Sequence, residues 1–221
     1  MSIVVNQPRI LVNELPTTQQ QNGHLINFNL SLLGEAVIQF SHTLELFDYA
    51  SYLIADMRSK GNNTFANERY MAWGYIAARN GALTIYDFGR FAETARNRLH
   101  DCPDIESRTD LKLIKAAFKQ FETKFPRWVA VRHSASHVGD INLTTRAQGE
   151  HLSSTRYTGS GIDIGPGNLI SGNLEDRVYT AAWKGETHTY ELSAASLEVL
   201  RSVADSVYRA FDAQTGVHYW P

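Results

Sequence analysis

The sequence predicts a mainly α-helical protein, a bundle of four to five helices with a β-hairpin inserted before the C-terminal one. Three observations carry that expectation. Apolar residues recur near a 3.6-residue period over several long segments, which places them on one face of a helix. One stretch, "RVYTAAWKGETHTYEL", alternates instead around Lys184-Gly185, the pattern of two strands joined by a two-residue turn. Between them, residues from about 141 to 176 are rich in Gly, Ser, Thr and Asn and read as loop with room for short strands.

Residues 1–30, with "TTQQQNG" among them, read as an irregular N-terminal segment. The remainder, 31–221, reads as one helical-bundle domain with a loop and hairpin inserted at about 141–192. Leu33, Ala36, Val37, Phe40, Leu44, Phe47 and Leu53 define the first helix. "SKGNNTFAN" breaks it, and a second runs from about Glu68 to Leu99, where Gly81 and Gly89 are places for a bend. Ser107 and Asp110 fit a capping box ahead of a third helix, whose apolar stripe is Leu111, Ile114, Phe118, Phe121 and Phe125. Its opposite face carries Arg108, Lys112, Lys115 and Lys119, a row expected to be solvated. Pro126 suits the first position of a fourth helix, which would end near Gly139, because the N–H it lacks would be unpaired there anyway. Ser193 caps the last helix, buried through Leu197, Leu200, Ala204, Val207 and Phe211.

Composition narrows the function classes. A hydrophobic fraction of 43% against 20% charged residues belongs to a folded chain. The net charge of −2 argues against a general nucleic-acid coat, whose affinity would come from neutralising phosphates. The single cysteine, Cys102, excludes an internal disulfide framework and a cysteine-rich metal site; beside His100 it is at most a weak reactive thiol. The N-terminus has no basic segment followed by an apolar core, and no run reaches about 18 apolar residues. A cytoplasmic protein that does not enter the membrane is expected. "TGSGIDIGPGN" is no phosphate-cradling loop, since no Gly-Lys-Ser/Thr follows.

The stretch with chemistry in it is "RHSASH", residues 132–137. His133 and His137, four apart, share a helical face. Arg132 and His137, five apart, are turned about 140° from one another, so the arginine must curl back to meet the histidine. An imidazole of ordinary pKa, about 6.5, can take a proton from a ribose 2′-hydroxyl or give one to a leaving oxygen. A forked guanidinium can hold a phosphate and stabilise charge developing on its oxygens. Arginine, four residues, then histidine resembles the motif of HEPN domains, which are helical bundles, with His133 in the motif's variable polar slot. That resemblance implies a metal-independent endoribonuclease of a toxin or phage-defence system, with no cofactor. It implies a homodimer whose two motif helices form one cleft, RNA as substrate, a cognate antitoxin protein as partner, and 2′,3′-cyclic phosphate products. His137 would be the general acid/base, Arg132 the phosphate stabiliser, and His133 an orienting group or a secondary proton handler. Arg146 and His151 match the same spacing but lie in a polar segment unlike a helix.

Two other readings of these residues stand beside it. In one, the cluster is a hydrogen-bond network in a non-catalytic helical interaction module. In the other, His133, His137 and Asp140 hold a divalent metal, with His42 and Glu45 as further donors. Arg79 and Tyr86 share a helical face and would line the same cleft as His137, with Arg127 and Lys124 as further substrate contacts. The structural alternative for Arg79 is a buried ion pair with Asp48, Asp56 or Asp87. Trp73, Tyr75, Trp128 and Trp183 read as core or interface anchors rather than base-stacking platforms.

Overall fold

The computed structural model describes residues 7–61, 66–136, 144–159, 162–168, 170 and 172–211. Among them a short 3-10 turn, Val12–Glu14, leads into α1 (Thr17–Ser59), α2 (Ala66–Leu99), α3 (Pro103–Glu106), α4 (Leu111–Lys124), α5 (Trp128–Ser136) and α6 (Thr145–Glu150). Strands β1 (Tyr157–Gly159), β2 (Ile162–Ile164), β3 (Asn173–Glu175), β4 (Val178–Trp183) and β5 (Glu186–Glu191) follow, then α7 (Ala194–Phe211). The protein is mainly helical, with an antiparallel sheet β3-β4-β5 ahead of the C-terminal helix and a separate β1-β2 ribbon. No helix among the described residues is long and apolar enough to cross a membrane.

Two compact units divide the chain. The first draws on α1 up to Gln39, α2 from Asp87, α3, α4 and α7; the second on α1 from Phe40, α2 up to Tyr86, α5, α6 and the strands. In the first unit the stripes expected from periodicity are buried: Leu33, Ala36 and Val37 on α1, Ile114, Phe118 and Phe121 on α4, Leu200, Ala204, Val207 and Phe211 on α7. Phe88 of α2 stacks on Phe121 with ring centroids 5.4 Å apart. Lys112, Lys115 and Lys119 are exposed, the solvated row that was expected.

Several boundaries differ from expectation, each for a local reason. α1 begins at Thr17, not beyond residue 30, because its polar opening turns serve tertiary bonds. Gln19 accepts from the Asp104 N–H through Oε1 and from the Cys102 thiol through its carbonyl, tying α1 to α3. The capping box splits. Asp110 alone caps α4, its carboxylate accepting from the N–H groups of Lys112 and Leu113, while Ser107 closes α3. Pro126 lies outside α5, because Arg127 after it has φ 55°, a left-handed backbone no α-helix contains. The Arg127 carbonyl instead accepts from Ala130 N–H at 2.8 Å and so opens the helix from outside. Residues 145–150, expected as loop, form α6. Its C-terminal end is held by the Lys184 N–H donating to the Glu150 carbonyl, a tertiary bond that local composition does not encode.

The second unit is built around the hairpin. Lys184 and Gly185 both have positive φ, 51° and 84°, as a two-residue type I′ turn requires. The register pairs Trp183 with Glu186, Ala181 with His188 and Tyr179 with Tyr190. Alternation therefore puts Tyr179, Ala181, Trp183, Glu186, His188 and Tyr190 on one face. Tyr190 donates to the Ala78 carbonyl of α2, entering where Gly81 has no side chain; a Cβ there would lie 2.6 Å from the phenol oxygen. α2 runs on past Gly81, the position that admits the tyrosine.

Candidate functional site

α5 packs on β4 and β5, and α2 runs antiparallel to it: Tyr86 meets Trp128 and Arg132, while Arg79 meets Ser136. This sets two of the three motif residues. The Arg132 guanidinium carbon lies 5.1 Å from the centroid of the Tyr86 ring, a cation–π contact that Trp128 backs at 5.5 Å. The His133 ring lies flat on Trp183, centroids 5.3 Å apart and planes 12° from parallel. Arg132 Nη1 stands 3.5 Å from His133 Nδ1. A guanidinium only donates, so a bond between them makes Nδ1 the acceptor and leaves the ring proton on Nε2. In that tautomer His133 is a hydrogen-bond donor through Nε2, a role closer to orienting an oxyanion than to taking a proton. Both side chains are half-buried.

His137 and Asp140 lie outside the described residues, and with them the acid/base assignment and the alternative metal trio. Among the described residues no group of three or more His, Cys, Asp or Glu is arranged to hold a metal ion. Arg79 is exposed, not buried, and donates to the Ser136 carbonyl at 3.5 Å, so it needs no carboxylate. Asp48 pairs with Arg177 and Asp56 with Lys60. Tyr86 takes its place beneath Arg132 as part of the cluster. Lys124 ends α4 in the first unit. Arg127, in the second, pairs with Glu186 of β5. Cys102 is buried, and burial, with Asp101 and Asp104 nearby, pushes its thiol pKa up, the opposite of an activated nucleophile.

Two residues named in the sequence, but not as site residues, join the cluster. Trp183 is the plate on which the cluster is assembled, and His151 meets it edge-on at 5.3 Å and 73°. Of the pair Arg146 and His151, only Arg146 is helical, on α6, and His151 sits in the turn just after it. Arg146 is exposed beside Glu150, and His151 is buried. Strand alternation could have put Trp183 on the helix-facing side of the hairpin; nothing local places His151.

A cavity of about 440 Å³ opens beside this cluster, lined by Arg127, Ser154, Arg156, Tyr157, Glu186 and His188 among others. His188 is buried, and burial followed by the Arg127 charge lowers its pKa, partly offset by a bond to the Trp183 backbone. No family model, no curated protein and no solved structure matches the chain.

Proposed function

We propose that the protein is a metal-independent endoribonuclease whose site is built on α5. The observation that supports this best is the pairing of Arg132 with His133 against two aromatic plates, which pre-orients a phosphate-binding fork and an N–H donor side by side. Arg132 holds the scissile phosphate, His133 orients it, and His137 moves the proton between the 2′-hydroxyl and the leaving 5′-oxygen. As the resemblance to HEPN domains implies, two copies supply the cleft, and the chain works in the cytoplasm against RNA under a cognate antitoxin.

The test is incubation of the purified chain with single-stranded RNA, with and without EDTA. The expected result is EDTA-resistant cleavage leaving cyclic phosphate ends. Arg132→Ala and His137→Ala should each lower it by about a hundredfold or more, the scale of losing one charge-stabilising or acid/base group. Absence of cleavage by the native chain at any concentration that forms a dimer would sink the proposal. One observation favours a second reading, a non-catalytic interaction module: His133 is stacked as a packed core ring would be. On that reading His133→Ala lowers the melting temperature and no variant changes RNA.

A further inference from the structure

Arg127 is held in a left-handed backbone conformation that glycine would adopt without cost. Such residues persist where the surroundings impose them, and they concentrate at ligand sites. Arg127 and Arg156 both line the cavity. Arg127 pairs through Nη1 with Glu186, and Arg156 through Nε and Nη2 with Asp163. In both ion pairs every partner is at least half exposed, so solvent screens them; the single-point Arg127–Glu186 pair is the weaker and yields first to an incoming anion, while the two-point Arg156–Asp163 pair holds Arg156 in place. Ser154 and Thr187 add hydroxyls, and Tyr157 and His188 add rings. The cavity adjoins the Arg132 cluster through the hairpin: Trp183, which carries His133, stands directly across from Glu186, which carries Arg127.

We propose that this cavity is a second phosphate subsite for single-stranded RNA, taking a phosphate that flanks the one at Arg132. The inference rests on the nuclease reading for its ligand but not for its test. An extended strand fits better than a small anion because the groups that hold Arg127 and His133, Glu186 and Trp183, are one cross-strand pair, so a ligand that meets both places must carry successive phosphates. The cavity's hydroxyls and rings suit the sugar and base that accompany a phosphodiester.

The experiment measures binding of a fluorescent 2′-O-methyl oligonucleotide, which has no free 2′-hydroxyl and is not cut, to the full chain across a salt series. Arg127→Gly with Arg156→Gln should weaken binding by about tenfold or more and flatten the log–log salt slope by about 0.7, the share of one phosphate on a single strand. Arg127→Gly alone should melt no lower than the native chain, since glycine relieves the backbone, and still bind more weakly. Glu186→Gln should bind more tightly. Unchanged affinity and slope in the double variant overturn the subsite, as does binding of inorganic phosphate or a mononucleotide as tight as that of the oligonucleotide. If the oligonucleotide binds through these arginines but the native chain cuts no RNA, the nuclease reading falls and the subsite stands.

Discussion

His188 shows how a single side chain feels this cleft. It sits on the hairpin face with Trp183 and Glu186, buried and close to Arg127, and both burial and that positive charge disfavour its protonated form. A depressed histidine pKa contributes stability that is fully present above the unfolded value, about 6.5. It is lost as pH falls from there through the folded pKa, because the unfolded chain takes up a proton that the folded one resists. Urea unfolding at pH 7.5 and at pH 5.5 should therefore show lower stability at the acid end. His188→Gln should reduce that difference, and an equal slope in both proteins would remove His188 as the cause. Legibility at this scale was partial. Arg132 and His133 could be picked out because their chemistry is written in their side chains. Arg156 was not, Trp183 was read only as an anchor and His151 was set aside, since their place in the site comes from partners far away in the sequence.

At the scale of elements, the two units use the same device to seat a neighbour on a long helix. Tyr190 donates to the Ala78 carbonyl beside Gly81, and Tyr208 of α7 donates to the Leu30 carbonyl at 2.8 Å beside Gly34. A Cβ at Gly34 would lie 2.7 Å from the Tyr208 phenol oxygen. A buried tyrosine needs a partner for its hydroxyl, and a helix carbonyl becomes reachable only where no side chain stands in front of it. Gly81→Ala should therefore destabilise the protein by about 1–3 kcal/mol in chemical denaturation, overpacking outweighing the better helix propensity of alanine. In a Tyr190→Phe background the same substitution should cost less, and equal costs in both backgrounds would refute the pairing. Long helices, the hairpin and its turn were readable from period and turn chemistry. The start of α1, the cap of α4 and the existence of α6 were not, because there polar residues answer to tertiary hydrogen bonds rather than to a local pattern.

For the molecule as a whole, the fold class followed from hydrophobic spacing, whereas the site followed only in part. Periodicity reports which face is buried, and it therefore recovered the stripes of α1, α4 and α7. Which surfaces then meet is decided by contacts between distant segments, such as Tyr86 under Arg132 or Glu186 at Arg127, and no window of sequence contains both members. The seated tyrosines have a further consequence at high pH. Burial holds the Tyr190 and Tyr208 phenols well above their ordinary range and pushes Tyr179 up to about 12. Their protonated state supports the fold fully below about pH 10, and this support is lost as pH rises above that through the folded values. In an alkaline titration followed by tyrosinate absorbance, these three of the ten tyrosines should stay silent while the exposed ones ionise. They should then appear together with the loss of helical circular dichroism, turning the molecule's own phenols into a colour indicator of its collapse.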